Sequence, residues 1–252
     1  MTSVKFCILT TARCGSNALV SLLRLAPDTI CHGELFNKSG IWTAPQPNLD
    51  LPHSVADRDR DPVGFLHEIE RETFKHAATF GFKLFVTHGP VVRTHLMSSG
   101  EYRMILLSRT NRLAQYSSFV IAQSSGIWHP RKAISGNAPA TVTFDRAAFD
   151  AYMQRIDQGM ANVRAELNQH GPPCFELEYR DIKNGQALDA LADFLSMDRA
   201  VSLTGIVGGI PHVRRSPAVI VDRFSNPEDV VAAMRHIGHE DWLKDEVEHQ
   251  HV

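Results

Sequence analysis

Cysteine is scarce in this chain, with four in 252 residues. Cys7, Cys14, Cys31 and Cys174 form no CxxC pair and are too sparse for a disulfide-stapled secreted domain. The 13 histidines include no HExxH sequence, and no cysteine or histidine spacing is typical of a zinc site. The sequence therefore predicts reduced thiols and no bound metal.

Long apolar runs and an excess of one charge are also missing. No stretch approaches the roughly 20 apolar residues of a membrane-spanning helix, and the first apolar run is too short for a signal peptide. Lys+Arg number 26 against 28 Asp+Glu, so no overall basic field would gather nucleic acid or an anionic membrane. We expect a cytoplasmic protein without a transmembrane segment or a nucleic-acid partner, in which any anion site is local. The oligomeric state is left open.

Hydrophobic residues make up 43% of the chain, enough to offset the entropy of ordering a folded core. Short apolar runs alternate with segments of helical periodicity, which indicates βαβ units. The patterns predict strands at 4–10, 29–31, 80–88, 104–108 and 174–178, and helices after residue 17, over 62–76, to about 123, over 145–167, near 188–195 and from 226.

This alternation predicts an α/β fold, a single P-loop-like domain over 1–252 with a central, mainly parallel sheet flanked by helices. In such sheets ligands bind at the carboxyl ends of the strands. Residues 38–62 show no periodicity. We interpret 38–78 and 124–145 as excursions that form an acceptor site or a lid.

The first strand runs into the loop Thr11-Ala12-Arg13-Cys14-Gly15-Ser16-Asn17, which a helix follows. Helix N-terminal N–H groups, the helix dipole and the side chains of Arg13, Ser16 and Asn17 would suit a tetrahedral oxyanion such as phosphate or sulfate. An ordinary strand-to-helix turn is the alternative. The loop has neither GxxxxGK[ST] nor GxGxxG, which argues against a usual P-loop kinase and against a dinucleotide site.

Three elements in order resemble sulfotransferases that use 3′-phosphoadenosine 5′-phosphosulfate (PAPS). The first loop resembles the 5′-phosphosulfate loop, and Ser108-Arg109 with Ser117 resembles the 3′-phosphate element, an Arg at a strand end and a Ser eight residues later. His32-Gly33-Glu34-Leu35-Phe36-Asn37 resembles the Gly-Glu-Leu-Phe-like segment of the bacterial trehalose- and nodulation-factor-type branch, also described as lipopolysaccharide-sulfotransferase-like.

The resemblance implies transfer of a sulfonate from PAPS to a hydroxyl of a carbohydrate, lipid or small metabolite, without a metal. It implies that the loop residues Arg13, Cys14, Gly15, Ser16 and Asn17 bind the cofactor's 5′ end. Arg109 and Ser117 would bind the 3′-phosphate, and Arg214 or Arg215, in the basic turn 212–217, would assist. Tyr179 would lie near the adenine or in the core, and Trp42 and Trp128 would shape an acceptor pocket or pack in the core.

Two residues compete for the role of general base. Glu34 matches the position at which the bacterial branch places a carboxylate, whereas His88 resembles the histidine of a Lys-Thr-His-x-Pro element in which Val86 replaces the Lys. Arg13 is the candidate for stabilising charge on the leaving phosphate. Lys83, on the same strand as His88, has two interpretations, a further cation that faces the sulfonate and a solvated strand lysine, and we expect the second. Two other functions stay open, a phosphotransferase or other P-loop-like nucleotide-binding protein with the same cradle, and a non-catalytic nucleotide-binding module.

Overall fold

A computed structural model describes residues 3–45, 54–128, 141–183, 185, 187–198, 202–207, 217–244 and 246. The strands are β1 (Val4–Thr10), β2 (Thr29–Glu34), β3 (Thr79–Phe85), β4 (Tyr102–Ser108) and β5 (Cys174–Glu178). The helices are α1 (Ser16–Leu23), α2 (Val55–Arg60), α3 (Pro62–Thr73), α4 (Pro90–Ser98), α5 (Arg112–Ser125), α6 (Arg146–His170), α7 (Tyr179–Lys183), α8 (Leu188–Phe194), α9 (Leu203–Val207) and α10 (Pro227–Ile237). Short 3₁₀ helices cover Val221–Arg223 and Glu240–Leu243.

The five strands form one parallel sheet in the order β2-β3-β1-β4-β5. β1 lies at its centre, and its residues Phe6, Cys7, Ile8 and Leu9 are fully buried. A strand that is apolar on both faces needs helices on both sides, and helices flank the sheet in this chain. The predicted α/β class with a parallel sheet is therefore confirmed, and the carboxyl ends of the strands share one edge.

The chain divides into two compact units. The first, Met1–Ser108 with Gln158–Ile210, contains the sheet and a core in which Leu19 and Leu23 of α1 are buried. The second, Arg109–Asp157 with Pro211–Val252, contains α5, the start of α6 and α10. Its described core includes an aromatic cluster in which the Tyr116 ring meets Phe149 at 5.4 Å and Tyr152 at 5.5 Å, centroid to centroid. The single domain predicted from the sequence stays a prediction.

Within the described residues, four helices lie where the sequence predicted none, namely α2, α4, α7 and α9. Residues 38–62 were expected to lack regular structure, yet α2 forms there because the Ser54 hydroxyl caps the N–H of Asp57 at 3.1 Å. α4 begins at Pro90, directly after Gly89, whose φ of 50° turns the chain out of the strand. β3 accordingly ends at Phe85 and not at residue 88, while β2 continues to Glu34.

The predicted helix starts have different outcomes. Asp145 caps the long helix as expected, since its carboxylate accepts the Ala148 N–H at 2.8 Å. Asn226 precedes α10 but does not cap it with its side chain, because its oxygen accepts the Phe144 N–H at 2.8 Å and its amide donates to Asp229 at 2.8 Å. None of the helices within the described ranges is long and apolar enough to cross a membrane.

Candidate active site

The loop between β1 and α1 turns at two residues with left-handed backbone. Arg13 has φ 66° and Gly15 has φ 76°. A Cβ on Gly15 would lie 2.3 Å from Cδ2 of Tyr179, so the aromatic ring packs directly on the loop and only glycine fits. The Gly15 carbonyl accepts the Ala18 N–H at 2.9 Å, which starts α1 and directs the N–H groups of its first turn toward the loop.

Cys14, expected to bind the cofactor, has its side chain on the core side of this loop. The residue is fully buried, and its sulfur lies 3.1 Å from the Thr11 hydroxyl. Only its backbone N–H is therefore suited to an anion. Ser16 is also buried, at the first position of α1.

A buried ion pair stands at the carboxyl ends of β2 and β3. Glu34 and Lys83 are partners in the sheet register, and Lys83 Nζ lies 2.8 Å from Glu34 Oε1. Lys83 Nζ also donates to Asn17 Oδ1 at 2.7 Å. The exposed fractions of the two charged side chains are 2% and 4%. The expectation of a solvated lysine is wrong, because Glu34 and the first loop bury it together.

The second carboxylate oxygen of Glu34 has its own donor, since Asn37 Nδ2 donates to Oε2 at 2.5 Å. Burial lowers the pKa of Lys83, Glu34 opposes that shift, and the positive charge of Arg13 adds to it. Arg13 therefore lies near enough to Lys83 to repel it. With Arg13 and Lys83 positive and Glu34 negative, these three side chains carry one net positive charge beside the loop.

His88, the competing base, lies in the turn between β3 and α4. The backbone N–H of His88 donates to the Phe85 carbonyl at 2.8 Å. The centroids of the His88 and Phe85 rings are 5.4 Å apart. Burial lowers the pKa of His88, although the charge of Glu34 opposes that effect. The imidazole is therefore neutral at pH 7 and able to accept a proton. Of the two candidate bases, Glu34 is the one linked to the first loop by hydrogen bonds through Lys83.

The turn after β2 is held by a buried arginine that no sequence motif singles out. Arg58 of α2 is 2% exposed and donates to the carbonyls of Leu35 at 2.9 Å, Asn37 at 2.7 Å and Gly40 at 3.2 Å. One guanidinium nitrogen, Nη1, thus contacts three points of a single turn. Asn37, which donates to Glu34, is positioned by this contact.

In the second unit, Arg109 is buried and forms a bidentate ion pair with Glu246. Its Nε donates to Glu246 Oε1 at 2.8 Å, and its second nitrogen, NH2, donates to Oε2. The neighbouring Asn111 caps α5, and its amide donates to the Trp242 carbonyl at 3.0 Å. The predicted phosphate-binding arginine therefore has a carboxylate partner.

Ser117 lies on α5 and is fully buried. Its hydroxyl donates to the Ala114 carbonyl at 3.0 Å and accepts from the guanidinium of Arg223 at 3.3 Å. The sequence did not select Arg223, which is 5% exposed. Arg214 and Arg215 lie outside the described residues. Within the described ranges, no group of three or more His, Cys, Asp or Glu side chains is placed to hold a metal ion.

The two tryptophans assigned to an acceptor pocket are both partly exposed. Trp42 is 42% exposed, and its side chain covers Gly33 and Gly40. Its backbone N–H donates to the Glu34 backbone carbonyl at 3.2 Å. Trp128, in the second unit, is 39% exposed and packs on Phe119 with 5.7 Å between ring centroids. The backbone of Trp42 is therefore hydrogen-bonded to that of Glu34, the candidate base.

Comparisons with protein families and with curated proteins find no match to this sequence. Among solved structures, the sulfotransferase STF9 from Mycobacterium avium aligns with a TM-score of 0.46 and 9% identity, over 94% of this chain and 76% of that chain. The proposed function therefore depends on the site residues themselves.

Proposed function

We propose that this chain is a PAPS-dependent sulfotransferase that transfers a sulfonate to a hydroxyl of a carbohydrate, lipid or small-metabolite acceptor. One observation carries the proposal. The Lys83 ammonium is hydrogen-bonded at once to Asn17 of the first loop and to Glu34, at 2.7 and 2.8 Å. Group transfer from an anionic donor to a hydroxyl needs an anion cradle and a base within one substrate's length of each other.

The donor set of the loop suits a sulfate or phosphate group. The turn at Gly15 presents backbone N–H groups at a helix N-terminus, Arg13 adds a forked cation, and Lys83 adds a buried ammonium. A buried ammonium is costly without a counter-charge, and Glu34 supplies one to Lys83. PAPS supplies the activated sulfuryl group and a phosphate leaving group. Arg13, Gly15, Ser16 and Asn17 would hold that end of it.

Glu34 is proposed as the base. The acceptor hydroxyl forms a bond to sulfur as the sulfur–oxygen bond to the phosphate breaks, and the acceptor's proton passes to the Glu34 carboxylate. The products are a sulfate ester and adenosine 3′,5′-bisphosphate (PAP), and the proton leaves to solvent. Charge develops on the phosphate oxygen, so Arg13 and the loop N–H groups stabilise the transition state.

Arg109 and Ser117 are proposed to bind the 3′-phosphate. This follows from the resemblance of the Arg and Ser spacing, and it agrees with the chemistry of a buried arginine whose two donors already engage the two oxygens of one carboxylate. The same resemblance leaves Arg214 and Arg215 as further candidates. We propose a cytoplasmic enzyme that needs no metal.

Thermal unfolding with added nucleotides tests the donor class. PAP at about 100 times its dissociation constant should add about 2.7 kcal/mol of stability. Selective stabilisation by ATP would instead support a phosphotransferase. Stabilisation by PAP without transfer of labelled sulfonate to any member of a hydroxyl-compound library would support a non-catalytic binding module.

Substitutions at the two candidate bases test the assignment. Glu34→Gln should not weaken PAP binding and should lower turnover by about 10²-fold or more, within the range for a general base. His88→Ala should affect turnover less. The opposite ranking would assign the base to His88. Arg109→Ala should weaken PAP binding.

A further inference from the structure

We propose that Lys83 couples donor binding to activation of Glu34, by leaving the carboxylate for the anion when the donor enters the loop. The inference rests on the proposed function, since it concerns how the loop and the base of that site communicate. It is carried by the position of one ammonium group between a loop residue and the candidate base.

Lys83 Nζ has three N–H donors. Two of them serve Asn17 Oδ1 at 2.7 Å and Glu34 Oε1 at 2.8 Å, and the side chain is 2% exposed. A buried ammonium cannot exchange these partners for bulk water. Any change in its bonding must involve the groups around it or a ligand that enters the loop.

Both carboxylate oxygens of Glu34 are engaged in the ligand-free protein. Lys83 occupies Oε1 and Asn37 occupies Oε2 at 2.5 Å, so both carboxylate oxygens already have donors. An acceptor hydroxyl must therefore compete with these two donors for the carboxylate oxygens. If Lys83 moves away, Oε1 is open to the hydroxyl and to the proton that it gives up.

An anion in the loop provides the reason for Lys83 to move. Asn17, its second partner, is the second residue of α1, directly after the loop, so the ammonium is already at the edge of the anion cradle. Burial is the main cause that lowers the pKa of Lys83, and the positive charge of Arg13 adds to it. An anion bound in the loop would attract both cations. Lys83 would then bond to the anion, and Oε1 would be free to accept a proton.

Several charged groups surround Lys83 and Glu34. Besides burial, the charges of Glu34, Cys31 and Arg13 shift the pKa of Lys83. Besides burial, the charges of Glu34, Lys38 and Arg58 shift the pKa of His88. A pH profile alone would mix their titrations. A double-mutant cycle that measures equilibrium binding of PAP at one pH isolates the coupling free energy between Lys83 and Glu34.

The cycle compares wild type, Glu34→Gln, Lys83→Met and the double variant by calorimetric titration with PAP, whose 5′-phosphate stands in for the donor's phosphosulfate end. Glu34→Gln should tighten PAP binding, because the carboxylate no longer competes for the ammonium. Lys83→Met should weaken binding by about fivefold or more and abolish the effect of Glu34→Gln, as expected for coupled groups.

Lys5→Met is the matched control, since Lys5 is also paired with glutamates, at 3.0 Å from Glu70 and 2.6 Å from Glu101, but lies at the opposite end of β1 from the loop. It should leave PAP binding unchanged. If Lys83→Met alone fails to fold, the double variant, which removes both charges, should still bind PAP about fivefold or more weaker than Glu34→Gln.

The outcomes separate the two proposals. The coupling would be overturned if the wild type binds PAP and the two substitutions have additive effects on its affinity. It would also be overturned if Glu34→Gln weakens PAP binding. Either result would leave the sulfotransferase proposal standing. Failure of the wild type to bind PAP would overturn both.

Discussion

Arg109 and Glu246 form a buried bidentate ion pair, although they are 137 residues apart along the chain. The carboxylate uses the same forked donors that a phosphate would use. Asn111 holds the chain nearby, through its bond to the Trp242 carbonyl at 3.0 Å. If Arg109 binds the 3′-phosphate, the nucleotide must displace Glu246.

Glu246→Gln should therefore tighten PAP binding by about fivefold or more, in the range of coupling between two ligands of one group. Adenosine 5′-phosphate, which lacks the 3′-phosphate, should bind both proteins equally. Calorimetric titration measures both affinities. Glu240→Gln is the control, because Glu240 lies in the same region but pairs with the exposed Arg235 at 3.0 Å. Equal PAP affinities in wild type and Glu246→Gln would argue against competition at Arg109.

Gly15→Ala should destabilise the first unit by about 1–3 kcal/mol, since it combines a left-handed backbone with an overlap at Tyr179. Gly100→Ala is matched for backbone strain, with φ 71° and no atom within 4 Å of an added Cβ. Thermal unfolding should show a larger loss for Gly15→Ala. In a Tyr179→Ala background the difference between the two glycine variants should disappear. A difference that persists there would mean that the ring is not its cause.

Arg58→Ala should lower the free energy of unfolding by at least about 2 kcal/mol, because three carbonyls lose their buried donor. Arg58→Lys should recover only part of that free energy, since a lysine has one nitrogen and cannot also supply the Nε and Nη2 donors that pair with Asp59. Turnover of labelled PAPS should fall in both, as the turn that carries Asn37 loosens. Arg60→Ala, on the same helix but 76% exposed, should change stability by less than about 0.5 kcal/mol. Equal losses of stability in Arg58→Ala and Arg60→Ala would contradict the role of Arg58 in holding the turn.

The sequence predicted the parts of the fold that depend on local patterns. The apolar run before Thr11 and the glycine in the loop predict β1 and the turn into α1, and both are present. Glu34 could be selected by its motif. α4 was missed because a glycine and a proline together indicate a turn, yet the proline here occupies the first position of a helix.

The features that the sequence did not predict depend on partners that are distant along the chain. Arg58 stands in an alternating run of Asp and Arg that is typical of a solvated surface, and only the turn at 35–40 draws this one arginine inward. Lys83 is buried because Glu34 and Asn17 meet its ammonium from separate elements. No local periodicity carries that information. The same holds for Glu246, whose partner comes from the other end of the second unit's sequence.

His32 should make stability depend on pH. It is fully buried on β2, its Nδ1 accepts the Ala44 N–H at 3.1 Å, and its Nε2 therefore carries the proton toward the Thr73 hydroxyl at 3.0 Å. Burial, and then the charge of Arg24, lower the pKa of His32 to about 3. The unfolded chain has an ordinary histidine pKa, near 6.5.

Between pH 6.5 and 3 the unfolded state therefore binds more protons than the folded state. The contribution of His32 to the free energy of unfolding is complete above pH 6.5. It falls as pH decreases, by up to about 1.4 kcal/mol per pH unit. Urea unfolding midpoints at pH 7.5, 6.5, 5.5 and 4.5 measure this. His32→Asn, whose side-chain oxygen can still accept from Ala44, should be less stable than wild type at pH 7.5, and the gap should close toward pH 4.5. Thr73→Val removes the hydroxyl but keeps the histidine, so its curve should run parallel to wild type. A constant gap for His32→Asn across this range would mean that His32 titrates alike in the folded and unfolded states.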